Sequence, residues 1–180
     1  MRFLRLSVAL WALSAGLASG PDAPGVTNFH QVNDHVFRGA QPSADGFKNL
    51  SKLGIKTILD LRDEPDLVRA EQHVVEATGM RFVSIPMHGM SAPSEAQLAK
   101  ALAILNDVSA GPVFVHCRRG ADRTGTVIAC YRISAEHWQN DKALIEAKAF
   151  GMSWTEFAMH RCIRDYRAAS ATAVAATTQQ

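Results

Sequence analysis

Cysteine is scarce in this sequence, and neither sign of charge is in large excess. The 180 residues include three cysteines, and 19 basic against 17 acidic residues leave a formal net charge of +2. Three cysteines cannot all pair, which excludes a small scaffold held together by a complete set of disulfides. The near-neutral balance gives no indication of a nucleic-acid partner, since such partners are bound by strongly basic surfaces.

Metal-ligand spacing and internal repeats are also missing. The seven histidines are scattered along the chain without the spacing of a metal site. We therefore expect no metal and no cofactor. The composition, with 47% hydrophobic residues among 180, is sufficient for one good core and predicts a single domain.

The apolar run near the N-terminus is too short for a comfortable membrane span. A basic leader, MRFLR, precedes this run at residues 6–17, and Gly16 to Ala18 supply the small residues of a cleavage site. We interpret residues 1–18 as a signal peptide, which predicts a secreted or periplasmic protein. The alternative is an uncleaved signal anchor, the one case in which we expect association with a membrane.

The rest of the chain divides into three parts by composition. Residues 19–27, with two prolines and two glycines, predict a flexible lead-in. Residues 28–168 are expected to form the folded domain. Residues 169–180 have no apolar periodicity, and we expect a disordered tail there.

Strand and helix patterns alternate through the domain. Strand patterns, rich in branched apolar residues, lie in a hairpin at residues 29–38 and then at residues 55–61, 81–85 and 113–116. Helix patterns with capping residues or glycine stops lie at residues 43–53, 65–78, 94–106 and 126–133, and from 141 onward. Ser153 and Glu156 are interpreted as the capping box of a last helix. This order predicts an α/β fold: a single domain with a central, mostly parallel sheet of four to five strands, flanked by helices.

One stretch carries the chemistry, residues 113–125 with the sequence VFVHCRRGADRTG. Its apolar start predicts a buried strand, and the residues that follow predict a loop that opens a buried helix. Such a loop directs backbone N–H groups and the positive end of the helix dipole at one place, which forms an anion site. Cys117 at the rim of this site is expected to be a thiolate, and Arg123 can bind two phosphate oxygens through its planar guanidinium.

This stretch resembles the phosphate-binding loop of the cysteine-dependent protein phosphatases. Their motif, His-Cys followed by five residues and Arg-Ser/Thr, stands here from His116 to Thr124. VFRGAQP at residues 36–42 and LGIKTILDLR at residues 53–62 are similar to the compact, atypical dual-specificity phosphatases of plants, fungi and bacteria. The resemblance covers residues 36–166 and implies a phosphotyrosine protein phosphatase-like fold.

The resemblance implies catalytic roles for four residues of the loop. Cys117 attacks phosphorus and forms a cysteinyl-phosphate, while Arg123 stabilises the transferring group. Thr124 places a hydroxyl beside the sulfur and helps the thiolate to leave in the second step. His116 orients the loop through hydrogen bonds rather than acting as a base.

Other residues of the basic loop are expected to bind substrate. Arg118 and Arg119 add positive charge beyond the single essential arginine, and Gly120 and Ala121 belong to the backbone that approaches the phosphate. Arg38 is a further candidate for a substrate contact. These residues complete the expected binding site.

The proton donor is the open question of the site. Members of the family carry an aspartate on the loop after the strand equivalent to residues 81–85, but here that loop, PMHGMSAPSE, contains none. Asp122, within the phosphate loop, is our preferred candidate, because some bacterial tyrosine phosphatases have an aspartate there. Asp63, at the carboxyl end of a neighbouring strand, is second, and His88 and Glu95 are further alternatives.

The sequence thus predicts a phosphatase that hydrolyses phosphate monoesters, with phosphotyrosine or dual-specificity protein substrates. The basic loop also suits inositol polyphosphates and pyrophosphates, which are an alternative substrate class. The missing loop aspartate leaves open a catalytically weak phosphate-binding module of the same fold. A rhodanese-like sulfurtransferase is disfavoured, because the arginine after five residues and the His-Cys pair belong to the phosphatase motif. We expect a monomer whose partner is a phosphorylated protein or a small phosphorylated substrate.

Overall fold

The computed structural model describes residues 22–168. Five strands form its sheet: β1 (His30–Gln31), β2 (Val36–Ala40), β3 (Thr57–Asp60), β4 (Arg81–Ser84) and β5 (Val113–Cys117). The helices are α1 (Ala44–Lys52), α2 (Pro65–Glu76), α3 (Glu95–Asn106), α4 (Asp122–Ala135), α5 (Asn140–Ala149) and α6 (Phe157–Asp165). None of the helices within the described range has the length and apolar character needed to cross a bilayer.

The strand order in the sheet is β1-β2-β5-β3-β4. Only β1 is antiparallel to its neighbour, and the other three pairs are parallel. Every residue of β5 is buried, in keeping with the apolar sequence of a strand covered on both faces. The predicted single α/β domain with a mostly parallel sheet of four to five strands is therefore confirmed.

Successive residues of β5 face opposite layers, as the two-residue period of a strand requires. Val113, Val115 and Cys117 pack in one cluster with α3 and α4, whereas Phe114 packs in a second cluster with α1 and α2. A third cluster joins α4 to α5 and α6. This alternation places the cysteine on the α4 side of the sheet and the preceding residue, His116, on the α2 side.

The local helix signals are confirmed at α1 and α3 but not at α6. The Ser43 side chain accepts a hydrogen bond from the backbone of α1, and Ser94 with Gln97 forms both halves of a capping box. The predicted capping box of the last helix is wrong: α6 begins at Phe157, and Glu156 at its N-cap makes no side-chain capping bond. The N–H of Ser153 donates instead to Asp122, which draws this segment toward the loop after β5.

The predicted flexible lead-in is corrected for its described part, residues 22–27. Ala23 and Val26 are buried in the cluster that packs against α1. The carbonyl of Gly25 accepts from the N–H of Ser43 at 2.9 Å, and that of Thr27 accepts from Ala40 at 2.9 Å. These residues belong to the domain, because they bury apolar surface and are hydrogen-bonded to it. The predicted signal peptide, 1–18, and disordered tail, 169–180, lie outside the described residues.

Candidate active site

Cys117 is the last residue of the central strand, and a loop of four residues separates it from α4. Its side chain is buried, with 2% of the residue exposed. Arg123 and Thr124 lie in the first turn of α4, because that helix begins at Asp122, four residues earlier than the sequence predicted. The structure therefore brings the predicted nucleophile to the N-terminus of a 14-residue helix, where the helix dipole favours negative charge.

The carbonyl groups of the loop are bound from behind. The side-chain amide of Asn28 donates to the carbonyls of Arg119 at 3.3 Å and Gly120 at 3.2 Å. Arg38 donates from Nη2 to the carbonyl of Gly120 at 2.8 Å. In a trans peptide the N–H points opposite to the carbonyl, so the amides that follow these carbonyls face the other side of the loop. This orientation favours a nest of N–H donors for an anion.

Glycine is required at the tightest point of the loop. Gly120 has a φ of +67°, and a Cβ atom there would lie 2.2 Å from the carbonyl carbon of Gly39 in β2. Gly39 in turn pairs with His116 in β5 and has no space for a side chain against Phe114. The two glycines let the loop fold directly onto the neighbouring strand.

Arg38 lies beneath the loop and not at its binding face. Its side chain is completely buried, its guanidinium lies 4.3 Å from the ring centroid of Phe150, and burial lowers its pKa to about 10. The predicted substrate contact is corrected, because a side chain with no exposed surface and a bond to the Gly120 carbonyl supports the loop instead. Asn28, which sequence reasoning missed, does the same. Its φ of 52° is a sign of a constrained position, since only glycine and a few polar residues adopt such values readily.

Arg123 is anchored by two groups from neighbouring connections. Its Nη1 donates to Oδ1 of Asp63 at 2.9 Å and to the carbonyl of Met87 at 3.1 Å. The other oxygen of Asp63 lies 2.7 Å from Nδ1 of His88, a largely exposed side chain on the loop after β4. The structure thus brings together three residues that were predicted separately, Arg123, Asp63 and His88.

The charge of the Asp63 carboxyl group is set by these neighbours. Partial burial raises its pKa, but the hydrogen bond with His88 and the positive charge of Arg123 act in the opposite direction. The net result is a pKa below the ordinary value of an aspartate. Asp63 is therefore a carboxylate at neutral pH in the structure.

Asp122 does not point into the site. One carboxylate oxygen accepts from the N–H of Ser153 at 2.8 Å, and the other pairs with Nη2 of Arg119 at 2.5 Å. Neither oxygen is therefore directed at the place where the loop N–H groups would bind an anion. The geometry does not support Asp122 as the proton donor. Glu95 lies at the start of α3 and lines a groove with Cys162 and other residues at the end of α6, and none of the loop residues 117–124 lines that groove.

Thr124 and the two remaining arginines complete the loop. Thr124 is completely buried, and its hydroxyl has no hydrogen-bond partner among the described residues. A buried hydroxyl without a partner calls for an explanation, and a negatively charged sulfur or phosphate would supply the acceptor. Arg118 and Arg119 are both exposed, and of the two Arg119 is held by its pair with Asp122.

A cluster of buried charges lies on the opposite face of the sheet, below the cysteine. Arg62 bonds to Asp60 through two nitrogens and to Glu71 at 2.6 Å. Nε2 of His116 lies 2.8 Å from the other oxygen of Glu71. Ligand atoms of Asp60, Glu71 and His116 lie within 4.8 Å of one another, which is compact enough for a metal, but Arg62 already provides positive charge to both carboxylates.

Sequence reasoning missed Glu71 as well as Asn28. Glu71 lies in α2 among both apolar and polar residues, and only 4% of the residue is exposed. Its burial depends on the packing of α2 against the sheet, which no local pattern reports. A charged residue on the inner face of a helix requires a partner, and here Arg62 is that partner.

Fold and site together define the class of protein. A parallel sheet whose central strand ends in a cysteine, followed by a short loop and an arginine in the first helical turn, is the arrangement of the cysteine-dependent phosphatases. The chain belongs to the family PTP-NADK, described as DSP-PTPase phosphatase fused to NAD+ kinase, whose model matches residues 21–165.

Two curated relatives show the sequence similarity. The inositol diphosphatase DSP2 of Oryza sativa subsp. japonica is 32% identical over 131 residues, which are 70% of this chain and 61% of that one. The dual specificity protein phosphatase TpbA of Pseudomonas aeruginosa is 30% identical over 128 residues, 69% of this chain and 55% of that one. The chain thus spans between about half and three fifths of the length of these relatives.

Solved structures show the same fold. The crystal structure of P. aeruginosa TpbA matches with a TM-score of 0.66 at 25% identity, over 81% of this chain and 92% of that one. The core catalytic domain of the PP-IP phosphatase SIW14 from S. cerevisiae matches with a TM-score of 0.71 at 24% identity, over 84% and 93%. At 24% identity, the similarity to SIW14 shows a shared fold only.

Proposed function

We propose that this chain hydrolyses phosphate monoesters through a cysteinyl-phosphate on Cys117. The observation that carries the proposal is the geometry of the loop after β5. Cys117 ends the buried central strand, the loop carbonyls are bound from behind by Asn28 and Arg38, and Arg123 stands in the first turn of α4. This arrangement provides a nucleophile beside a preorganised anion site.

The reaction requires two displacements at phosphorus. In the first, the thiolate of Cys117 attacks, the sulfur–phosphorus bond forms, and the bond to the leaving oxygen breaks as that oxygen takes a proton. In the second, water attacks the cysteinyl-phosphate, loses its proton, and releases phosphate and the thiolate. The buried hydroxyl of Thr124 is suited to donate a hydrogen bond to the sulfur as it leaves.

Arg123 retains donors for the transferring group. Its contacts with Asp63 and Met87 use Nη1 alone within the described part of the chain, so Nε and Nη2 are available for two phosphate oxygens. Because Asp63 and the Met87 carbonyl hold the guanidinium in place, less conformational freedom is lost when a phosphate binds.

The substrate we propose is a phosphorylated protein, with phosphotyrosine and a dual specificity as in the name of the relative TpbA. A second candidate is an inositol pyrophosphate. Arg118 supports it, since this arginine is exposed at the loop and forms no ion pair within residues 22–168. Relatives named inositol diphosphatases also support it.

A substrate panel on the purified protein tests these proposals. We expect turnover of a phosphotyrosine peptide that Cys117→Ser abolishes, while the serine variant still binds the peptide. Binding without turnover by the wild type would instead identify a phosphate-binding module. Arg118→Ala separates the two substrate classes: it should weaken hydrolysis of an inositol pyrophosphate more than that of the peptide, because a polyanion gains more from each exposed cation.

We also propose that the protein is exported and monomeric. The basic leader and the short apolar segment at residues 6–17 support export. Cell fractionation, with mass determination of the mature N-terminus, tests export and cleavage together. Size-exclusion chromatography with light scattering tests the monomer.

A further inference from the structure

We propose that His88 is the proton donor of this site and that Asp63 holds its imidazole in position. The proposal rests on the proposed function, since a proton donor has meaning only for a site that cleaves a phosphate ester. It assigns the role to a histidine on the loop between β4 and α3.

The two aspartates near the loop are both engaged as acceptors. Asp122 receives hydrogen bonds on both oxygens, from Arg119 and from the backbone of Ser153. Asp63 likewise accepts a hydrogen bond from Arg123 on one oxygen, and its other oxygen contacts Nδ1 of His88. Because both oxygens of each carboxylate already face donors, neither aspartate presents a free oxygen toward a leaving group.

His88 has the opposite arrangement. Its Nδ1 lies 2.7 Å from Oδ2 of Asp63. Because a carboxylate only accepts, Nδ1 must carry the hydrogen of this contact. The orientation leaves Nε2 at the outer end of a side chain that is 85% exposed, where it is accessible to a bound substrate. An imidazole changes charge between pH 5 and 8, which suits proton transfer at neutral pH.

The backbone places this imidazole beside the catalytic arginine. The carbonyl of Met87, the residue before His88, accepts from Nη1 of Arg123 at 3.1 Å. Asp63, which contacts His88, accepts from the same nitrogen. Thus the loop after β4 and the connection after β3 meet at Arg123, and His88 stands at the border of the anion site.

The proton balance of both steps is closed by His88. In the first step the doubly protonated imidazole transfers the Nε2 proton to the leaving oxygen. The hydrogen on Nδ1 stays on the ring and remains hydrogen-bonded to Asp63. In the second step Nε2 takes the proton of the attacking water, which restores the starting state. Arg123 from α4 is the charged group that contacts the pair from another element, and Glu95 of α3 stands at the far end of the loop that carries His88.

Leaving-group dependence tests the proposal. His88→Asn should lower kcat/KM for phenyl phosphate by roughly 10²–10⁴-fold, the usual contribution of acid–base catalysis, and leave 2,4-dinitrophenyl phosphate close to the wild-type rate. His88→Asn should also remove the high-pH decline of kcat for phenyl phosphate. His73→Asn, at an exposed histidine of α2, is the matched control and should change neither.

Asp63→Asn provides the second arm. With the carboxylate gone, the Nδ1 hydrogen loses its acceptor and the imidazole is less well positioned, so kcat for phenyl phosphate should fall more than kcat for 2,4-dinitrophenyl phosphate, with KM little changed. If His88→Asn affects both esters equally, or leaves phenyl phosphate unaffected, the proposal is overturned. If the high-pH decline of kcat disappears in Asp63→Asn and persists in His88→Asn, Asp63 is the donor instead.

These outcomes are distinct from failure of the proposed function. Turnover that survives Cys117→Ser, or an inactive wild type, overturns the phosphatase and this proposal together. A wild type that depends on Cys117 but not on His88 overturns only the assignment of the proton donor.

Discussion

Glu71 in α2 and His116 in β5 are in contact beneath the loop after β5, with Oε1 of the glutamate 2.8 Å from Nε2 of the histidine. The two atoms are not aligned for a well-directed hydrogen bond, and neither has another partner within residues 22–168. At the other end of the ring, Nδ1 lies 3.4 Å from the carbonyl of Cys117. The imidazole thus connects a helix on one face of the sheet to the backbone of Cys117.

The first prediction concerns this contact. Glu71→Ala should destabilise the fold by about 3–5 kcal/mol, the usual cost of leaving buried charges without a partner. Glu71→Gln should destabilise less, because its amide oxygen can still accept from Arg62, and it should lower kcat through the orientation of His116. Denaturant unfolding and steady-state kinetics measure the two effects. Glu76→Gln, at the exposed end of α2, is the control, and a wild-type kcat in the Glu71→Gln variant would contradict the role.

The second prediction concerns the support of the loop carbonyls. Asn28→Gly keeps the positive φ but removes the amide that donates to three carbonyls, those of Arg119, Gly120 and Phe150. Each hydrogen bond contributes about 1 kcal/mol, so the loss of loop order should weaken inhibition by vanadate by about five- to tenfold. Inhibition constants at fixed ionic strength test this. An unchanged constant with an unchanged kcat would show that the loop is held by Arg38 alone.

A third prediction compares two glycines with positive φ. Gly120→Ala should abolish most activity, because the new methyl group would lie 2.2 Å from the backbone of Gly39 and the loop would have to move. Gly79→Ala is the matched control: its φ is +79°, but no atom lies within 4 Å of the added carbon. It should cost about 1 kcal/mol of stability through φ strain and leave turnover intact. Melting temperatures and kcat for both variants distinguish the effect of backbone strain from the effect of the steric clash with Gly39.

The fourth prediction concerns Asp122. Asp122→Asn weakens the pair with Arg119 and the bond from the backbone of Ser153, so it should disturb the loop and slow good and poor leaving groups to the same extent. This result would contrast with the leaving-group selectivity expected for His88→Asn. Parallel rates for phenyl and 2,4-dinitrophenyl phosphate provide the measurement. A loss of activity confined to phenyl phosphate would identify Asp122 as the proton donor.

The sequence could predict a site residue when the residues that position it are close to it in the chain, and could not when they are distant. Cys117, Arg123 and Thr124 could be found because a strand, a loop and a helix follow one another directly, and the local pattern reports all three. The orientation of Asp122 could not, because its partner Ser153 comes from a segment 31 residues away. Ser153 itself had a convincing local role as a helix cap, and the tertiary contact overrides it.

The supporting residues were beyond prediction for the same reason. Asn28 lies 91 and 92 residues from the loop carbonyls to which it donates, directly after the stretch whose prolines and glycines favoured a flexible interpretation. Glu71 has no local signal for the buried histidine that it contacts. The sheet, by contrast, was predictable, because alternating strands and helices allow few topologies once short, right-handed connections are required.

The strand order has a consequence for the sequence of events in folding. β1 pairs only with β2, and β4 pairs only with β3, while β5 alone pairs with both β2 and β3. A nascent chain that ends before residue 113 therefore holds two separate strand pairs, and two-stranded units are marginally stable by themselves in water. The segment that carries Cys117 is also the one that joins the sheet, so a complete core cannot form before that segment has been synthesised.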